Sequence, residues 1–147
     1  MLLDKYFEEF EIGETEVTRR RTITEADVVN FANLTWDVNP LHTDEGYAQN
    51  TIFKGRIAHG YLVLSYAAAL YVPTNPGPLM ANYGVDELRF ISPCRINDSI
   101  YVEQTVTEKE DKGNGTGVVT LKVMIKNQAE RDLVTFYQKV LVQSKST

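Results

Sequence analysis

Two rhythms of apolar residues divide the second half of the chain. Tyr61 to Val72, opened by Gly60, is apolar at every position except Ser65, and Pro73 with Asn75-Pro76-Gly77-Pro78 stops the run. A helix apolar on all sides is a buried one, and this run of twelve residues is too short to cross a bilayer. Beyond Pro78 the period drops to two. Leu88 and Phe90 alternate with Glu87 and Arg89; Ile100, Val102 and Val106 alternate with Tyr101, Glu103 and Thr105. Val119, Leu121, Val123 and Ile125 alternate with Thr120, Lys122, Met124 and Lys126, and Leu133 to Val142 supplies a last strand. Turn-forming clusters separate these stretches at Pro93 to Asp98, Asp111 to Gly117 and Asn127 to Arg131. One apolar face per strand means an antiparallel sheet covered on one side. The only element apolar enough to cover it is Gly60 to Val72. The pattern therefore predicts an α+β fold, an antiparallel sheet of about five to six strands wrapped around one central buried helix.

The first half is less regular. Tyr6 to Gly13 mixes aromatics with glutamates and reads as a short approach segment, and Glu16 to Ile23 fits a strand carrying Arg19-Arg20-Arg21. Alternation sends Arg20 to one face and its neighbours to the other, so no single basic face forms. Thr24 and Asp27 have the form of a capping box, with Val28, Phe31 and Ala32 at helical spacing behind it, which predicts a helix from Glu25 to about Leu34. Asp44 to Gln49 suits one helical turn and Asn50 to Arg56 a loop.

Composition narrows the class. At 147 residues, 43% hydrophobic, the chain suits one domain, 1–147, with a real core. A net charge of −5 argues against nucleic acid as the main partner. Cys94, the only cysteine, excludes an intrachain disulfide framework, fits a reducing cytoplasm, and reads as a small buried residue. The N-terminus is too acidic for a signal peptide, and no span suits a membrane. There is no dinucleotide fingerprint, no Walker sequence and no Cys or His cluster at metal-ligand spacing, so neither a cofactor nor a metal is expected.

Both histidines lie in one stretch, Ala32 to Tyr66. Pro40 forces a turn after Asn39, and that turn can fold His42 back toward Asp37. An imidazole titrating near neutrality beside a carboxylate suits acid–base work on a water molecule. The same spacing also suits a plain Asx-turn with a surface histidine. Gly60 begins the buried helix, where free N–H groups and the dipole favour a developing anion. His59 is either a second acid–base group or a structural histidine bonded through its ring to backbone. Lys54 and Arg56 are either loop charges or contacts for phosphates.

Asp37-Val38-Asn39-Pro40-Leu41-His42, followed by Ile57-Ala58-His59-Gly60 and an apolar helix, resembles the signature of the MaoC-like, (R)-specific enoyl-CoA hydratase family of hot-dog folds. The stretch Gly77 to Phe90 also looks like the hydratase domain of the phenylacetate pathway, which opens oxepin-CoA. The resemblance implies that Asp37 and His42 activate water for addition to a 2-enoyl thioester, and that the Gly60 N–H binds the thioester oxygen. Candidate substrate contacts are Asn39, Trp36, His59, Tyr66 and Arg56. The substrate would be an acyl-CoA, CoA being part of it, and the protein a homodimer or dimer of dimers. Two departures stand out: Trp36 where many members have glycine, and Ala68 where some hydratases carry a serine. Rival readings are a ring-bearing enoyl-CoA substrate, a hot-dog thioesterase, and a non-catalytic acyl-CoA-binding subunit.

Overall fold

Helix and sheet boundaries follow the local chemistry of the chain. In the computed structural model, which describes residues 1–145, helix α1 spans Glu25–Thr35. Thr24 caps it, its hydroxyl accepting from the Asp27 N–H at 3.2 Å while the Asp27 carboxylate accepts from the Thr24 N–H at 2.8 Å. Two short helices follow, α2 over Pro40–Thr43 and α3 over Glu45–Gln49. The expected bare turn at Asn39-Pro40 is in fact a helix start: proline lacks only a donor that the first turn leaves unused. Helix α4 runs Gly60–Tyr71.

Strands β1 (Thr15–Val17), β2 (Arg21–Thr22), β3 (Leu79–Phe90), β4 (Ser99–Asp111), β5 (Thr116–Lys126) and β6 (Asp132–Gln143) form an open antiparallel sheet. Its order is β1-β4-β5-β6-β3, with β2 continuing along β4 past β1. The single strand expected over Glu16 to Ile23 is two. Val17 stands opposite Glu103 and Arg21 opposite Ile100, so the chain carries one more residue than its partner between the two pairs. That bulge leaves Arg20 over the Tyr101 ring and Arg21 over the Tyr66 ring. At the other edge, the alternation at residues 88–90 marks only the end of β3. Three register shifts against β6 break the period over the rest of that strand.

Sheet and helices meet in one core. Leu62, Val63, Ala67, Leu70 and Tyr71 of α4 cluster with Val102, Leu121, Val123, Phe136 and Val140 of the sheet. Each fully buried side chain of this kind contributes about 1.5–3 kcal/mol. Leu2, Leu3 and Phe10, placed by 3-10 turns at Leu2–Asp4 and Phe7–Glu9, also enter the core, so the N-terminal approach segment is a packed element. Helix α4 is the central helix of this hot-dog arrangement, yet not covered all round. Tyr61, Ser65 and Ala69, four residues apart, form an exposed stripe. Among the described residues no helix is long and apolar enough to cross a membrane.

Candidate active site

The loop after α1 is shaped by its own side chains. Trp36 ends the helix in the left-handed conformation at φ 64°, and the Val38 N–H turns back to the Trp36 carbonyl at 3.0 Å. Asn39 then caps α2, its side chain accepting from the Leu41 N–H at 3.0 Å, and the Thr43 hydroxyl bonds the Val38 and Asn39 carbonyls. This bend carries Asp37 on its exposed side, and His42 follows within α2. The Asp37 carboxylate remains exposed.

His42 is oriented from the far side. Its Nδ1–H donates to the Ile57 carbonyl at 2.8 Å, which leaves Nε2 with a free lone pair. His59, only 1% exposed, donates its Nε2–H to the backbone carbonyl of Asp37 at 2.9 Å. The two imidazoles stack with centroids 3.9 Å apart, and Phe31 of α1 closes the outer face of His59 at 4.9 Å. Burial pushes the His59 pKa below the ordinary imidazole value; its bond to the Asp37 carbonyl opposes the shift, and the neighbouring His42 adds to it. An oxygen of Asp37 and a nitrogen of each histidine lie within 4.8 Å of one another. Sequence spacing gave no sign of this three-residue cluster. Two near-parallel rings, 28° apart, do not aim their lone pairs at one point, so the cluster suits acid–base chemistry better than a preformed metal site.

His42 and Gly60 sit on the wall of a cavity of about 340 Å³ whose other walls are mostly apolar, among them Phe53, Ile57, Phe90 and Val134. The first N–H groups of α4 have no acceptor within the helix, and no capping side chain accepts from them. A side chain at Gly60 has no room: a Cβ there would lie 2.5 Å from the ring of Phe90. Cys94 also lines the cavity, buried, its thiol pushed up to about 12 by burial with a further contribution from Asp98. It is the inert, buried cysteine the sequence suggested.

The remaining candidates lie elsewhere. Asn39 shapes the loop through its cap. Trp36 is 86% exposed and does not line the cavity. The Tyr66 hydroxyl bonds Asp27 at 3.0 Å, and Arg56 is held between Glu25 at 2.6 Å and Glu45 at 2.9 Å, both away from the cavity wall. Lys54 is exposed, and Ala68 packs against the core rather than the cavity. Sequence reading missed Phe53, Phe90 and Val134 as cavity walls. They come from a loop, the end of β3 and β6, and no local signal distinguishes them from ordinary apolar residues.

Comparison with known proteins places the chain in a family. Residues 8–128 match the family model described as MaoC like domain. The chain is 46% identical over 108 residues to Protein MaoC of Klebsiella aerogenes, covering 74% of this chain but only 32% of that protein. It is 42% identical over 106 residues to the (R)-specific enoyl-CoA hydratase of Rhodospirillum rubrum, 72% of each chain. Among solved structures, the monoamine oxidase regulatory protein from Archaeoglobus fulgius superposes with a TM-score of 0.90 at 37% identity, covering 97% of this chain and 96% of the other. A family match over most of the length, together with these relatives, shows that this protein belongs to the MaoC-like dehydratase domain family.

Proposed function

We propose that the protein hydrates a trans-2-enoyl-CoA to the (R)-3-hydroxyacyl-CoA, and catalyses the reverse dehydration. The observation that carries this reading is the closeness of Asp37 to His42, which with Gly60 lines a mostly apolar cavity. The (R)-specific hydratase activity of the Rhodospirillum relative supports it. The acyl chain lies along the apolar walls, with the thioester oxygen toward the Gly60 N–H. Water is held between Asp37 and the free Nε2 of His42. Its oxygen bonds the β-carbon, its proton passes to this pair, and a proton returns from the pair to the α-carbon. The charge on the thioester oxygen in between is held by fixed donors at the start of α4, and one such donor is typically worth about a hundredfold or more in rate. Every proton in the cycle comes from water and the protein, so the chemistry requires no cofactor beyond the CoA that the substrate carries.

A homodimer is part of the proposal. Strand β3 ends the sheet and exposes Met80, Tyr83 and Val85, and Phe90 and Ile91 follow at its end. An edge so long and apolar suits pairing with a second copy.

Crotonyl-CoA tests the activity. Loss of the conjugated enoyl absorbance without release of free thiol is the expected result, with Asp37→Asn and His42→Ala each lowering kcat by at least about a hundredfold. Thiol release would show a thioesterase instead. Binding without turnover, unchanged in the double variant, would show an acyl-CoA-binding subunit. Phe53, Tyr61 and Phe90 at the cavity favour including ring-bearing enoyl-CoAs in the substrate panel, scored for product stereochemistry.

A further inference from the structure

One side chain joins the separate pieces of this site, and the proposed reaction makes no use of it. His59 is buried and does not line the cavity. Its Nε2–H holds the Asp37 carbonyl, 22 residues earlier in the chain, at 2.9 Å. Its ring backs the ring of His42 at 3.9 Å, and the next residue is Gly60. The other hydrogen bonds made by residues 36–39, among the described residues, stay within 35–43. So the bend that carries Asp37 is tied to the rest of the site through His59.

The remaining nitrogen of the ring makes the case sharper. Nδ1 is buried and has no hydrogen-bond partner among the described residues. A residue needed only to fill this space would be apolar, because a stranded polar atom is unfavourable and leucine or phenylalanine strands none. What neither can do is donate to the Asp37 carbonyl.

We propose, on the hydratase reading above, that His59 is a positioning residue: its bond to the Asp37 carbonyl and its contact with the His42 ring hold the acid and the base in register with the start of α4. It exchanges no proton with substrate. Small displacements of reacting groups, of order 1 Å, can lower rates by about a hundredfold, so losing this tie shows in turnover before it shows in binding.

The test compares His59→Phe with His59→Gln on crotonyl-CoA, reading kcat, KM and Tm, in the wild-type and Asp37→Asn backgrounds. Phenylalanine fills the slot without a donor, and the glutamine amide reaches as far as Nε2. The expected result is a kcat at least about tenfold lower in His59→Phe with KM within about twofold, and most of the loss restored in His59→Gln. In the Asp37→Asn background His59→Phe should cost less than about threefold more, because phenylalanine keeps a ring against His42 and the acid whose tie it loses is already disabled. If His59→Phe does not fold, His59→Asn, whose amide is too short to reach that carbonyl, replaces it. A His59→Phe enzyme with wild-type kcat, or one whose full loss persists in the Asp37→Asn background, overturns this proposal alone. A wild-type protein inert toward crotonyl-CoA overturns the hydratase reading and this proposal with it.

Discussion

Gly60 shows how much a single position can be asked to do. It lines the cavity, and its missing side chain makes room for Phe90, whose ring would stand 2.5 Å from an added Cβ. Gly60→Ala therefore combines two effects, overpacking against Phe90 and a methyl group beside the proposed donor. Overpacking of this kind typically costs about 1–3 kcal/mol. The pair Gly60→Ala and Gly60→Ala/Phe90→Ala separates them: thermal stability should return in the double variant while kcat stays at least about tenfold down. A double variant with wild-type kcat would remove Gly60 from the oxyanion role. The neighbouring histidine makes a pH prediction. His59 has a pKa below its ordinary 6.5 when folded, so between that value and the folded one the unfolded chain binds more protons. Its contribution to stability is present above pH 6.5 and is lost as pH falls through the folded value. Denaturant titrations from pH 7.5 down to about 5 should show a steeper loss for wild type than for His59→Phe; equal slopes would contradict the assigned shift.

Helix α1 leads into the Asp37 loop, and its start was readable from local chemistry. Thr24 with Asp27 forms the expected capping box, and the predicted end at Leu34 differs from the observed Thr35 by one residue. Thr24→Ala should destabilise the protein by roughly 1 kcal/mol in urea titration while leaving kcat close to wild type, because the far end of the helix is held by the Asp37 loop and His59. A collapse of kcat at unchanged stability would mean that the cap, not the loop, sets the acid. Strands were legible where alternation runs unbroken, as in β5, and illegible where bulges reset it. Over residues 79–87 the register shifts place successive apolar residues without a steady period, so the pattern carried no strand there. The stretch Glu16 to Ile23 failed for the same reason, one extra residue splitting it into β1 and β2.

For the whole molecule, the β3 edge of the sheet is the surface that the proposed homodimer covers. Tyr83 and Val85, each about half exposed on β3, belong with Phe90 to the strand that also walls the cavity. Pairing of two β3 edges would stiffen that wall, so assembly and activity should fall together. Val85→Lys, a charge placed on the proposed seam, should shift the protein toward monomer in sedimentation equilibrium and lower kcat/KM severalfold. An unchanged sedimentation profile would move the interface elsewhere.

Local information sufficed wherever a feature depends on a few adjacent residues. The buried helix, the caps, the turns and the Asp37/His42 motif are of this kind, because apolar period and side-chain-to-backbone bonds act over one or two turns of chain. Tertiary structure decided the rest: that His59 bonds the backbone of Asp37, that Ile57 fixes the tautomer of His42, and that Phe90 and Val134 wall the cavity. The two hydrogen bonds join residues 15 and 22 positions apart and the cavity wall runs from His42 to Val134, and only the folding of the sheet around α4 brings them within reach. It also removed Tyr66 and Arg56 from the cavity, since sequence proximity to a motif says nothing about which side of the helix or loop a side chain leaves.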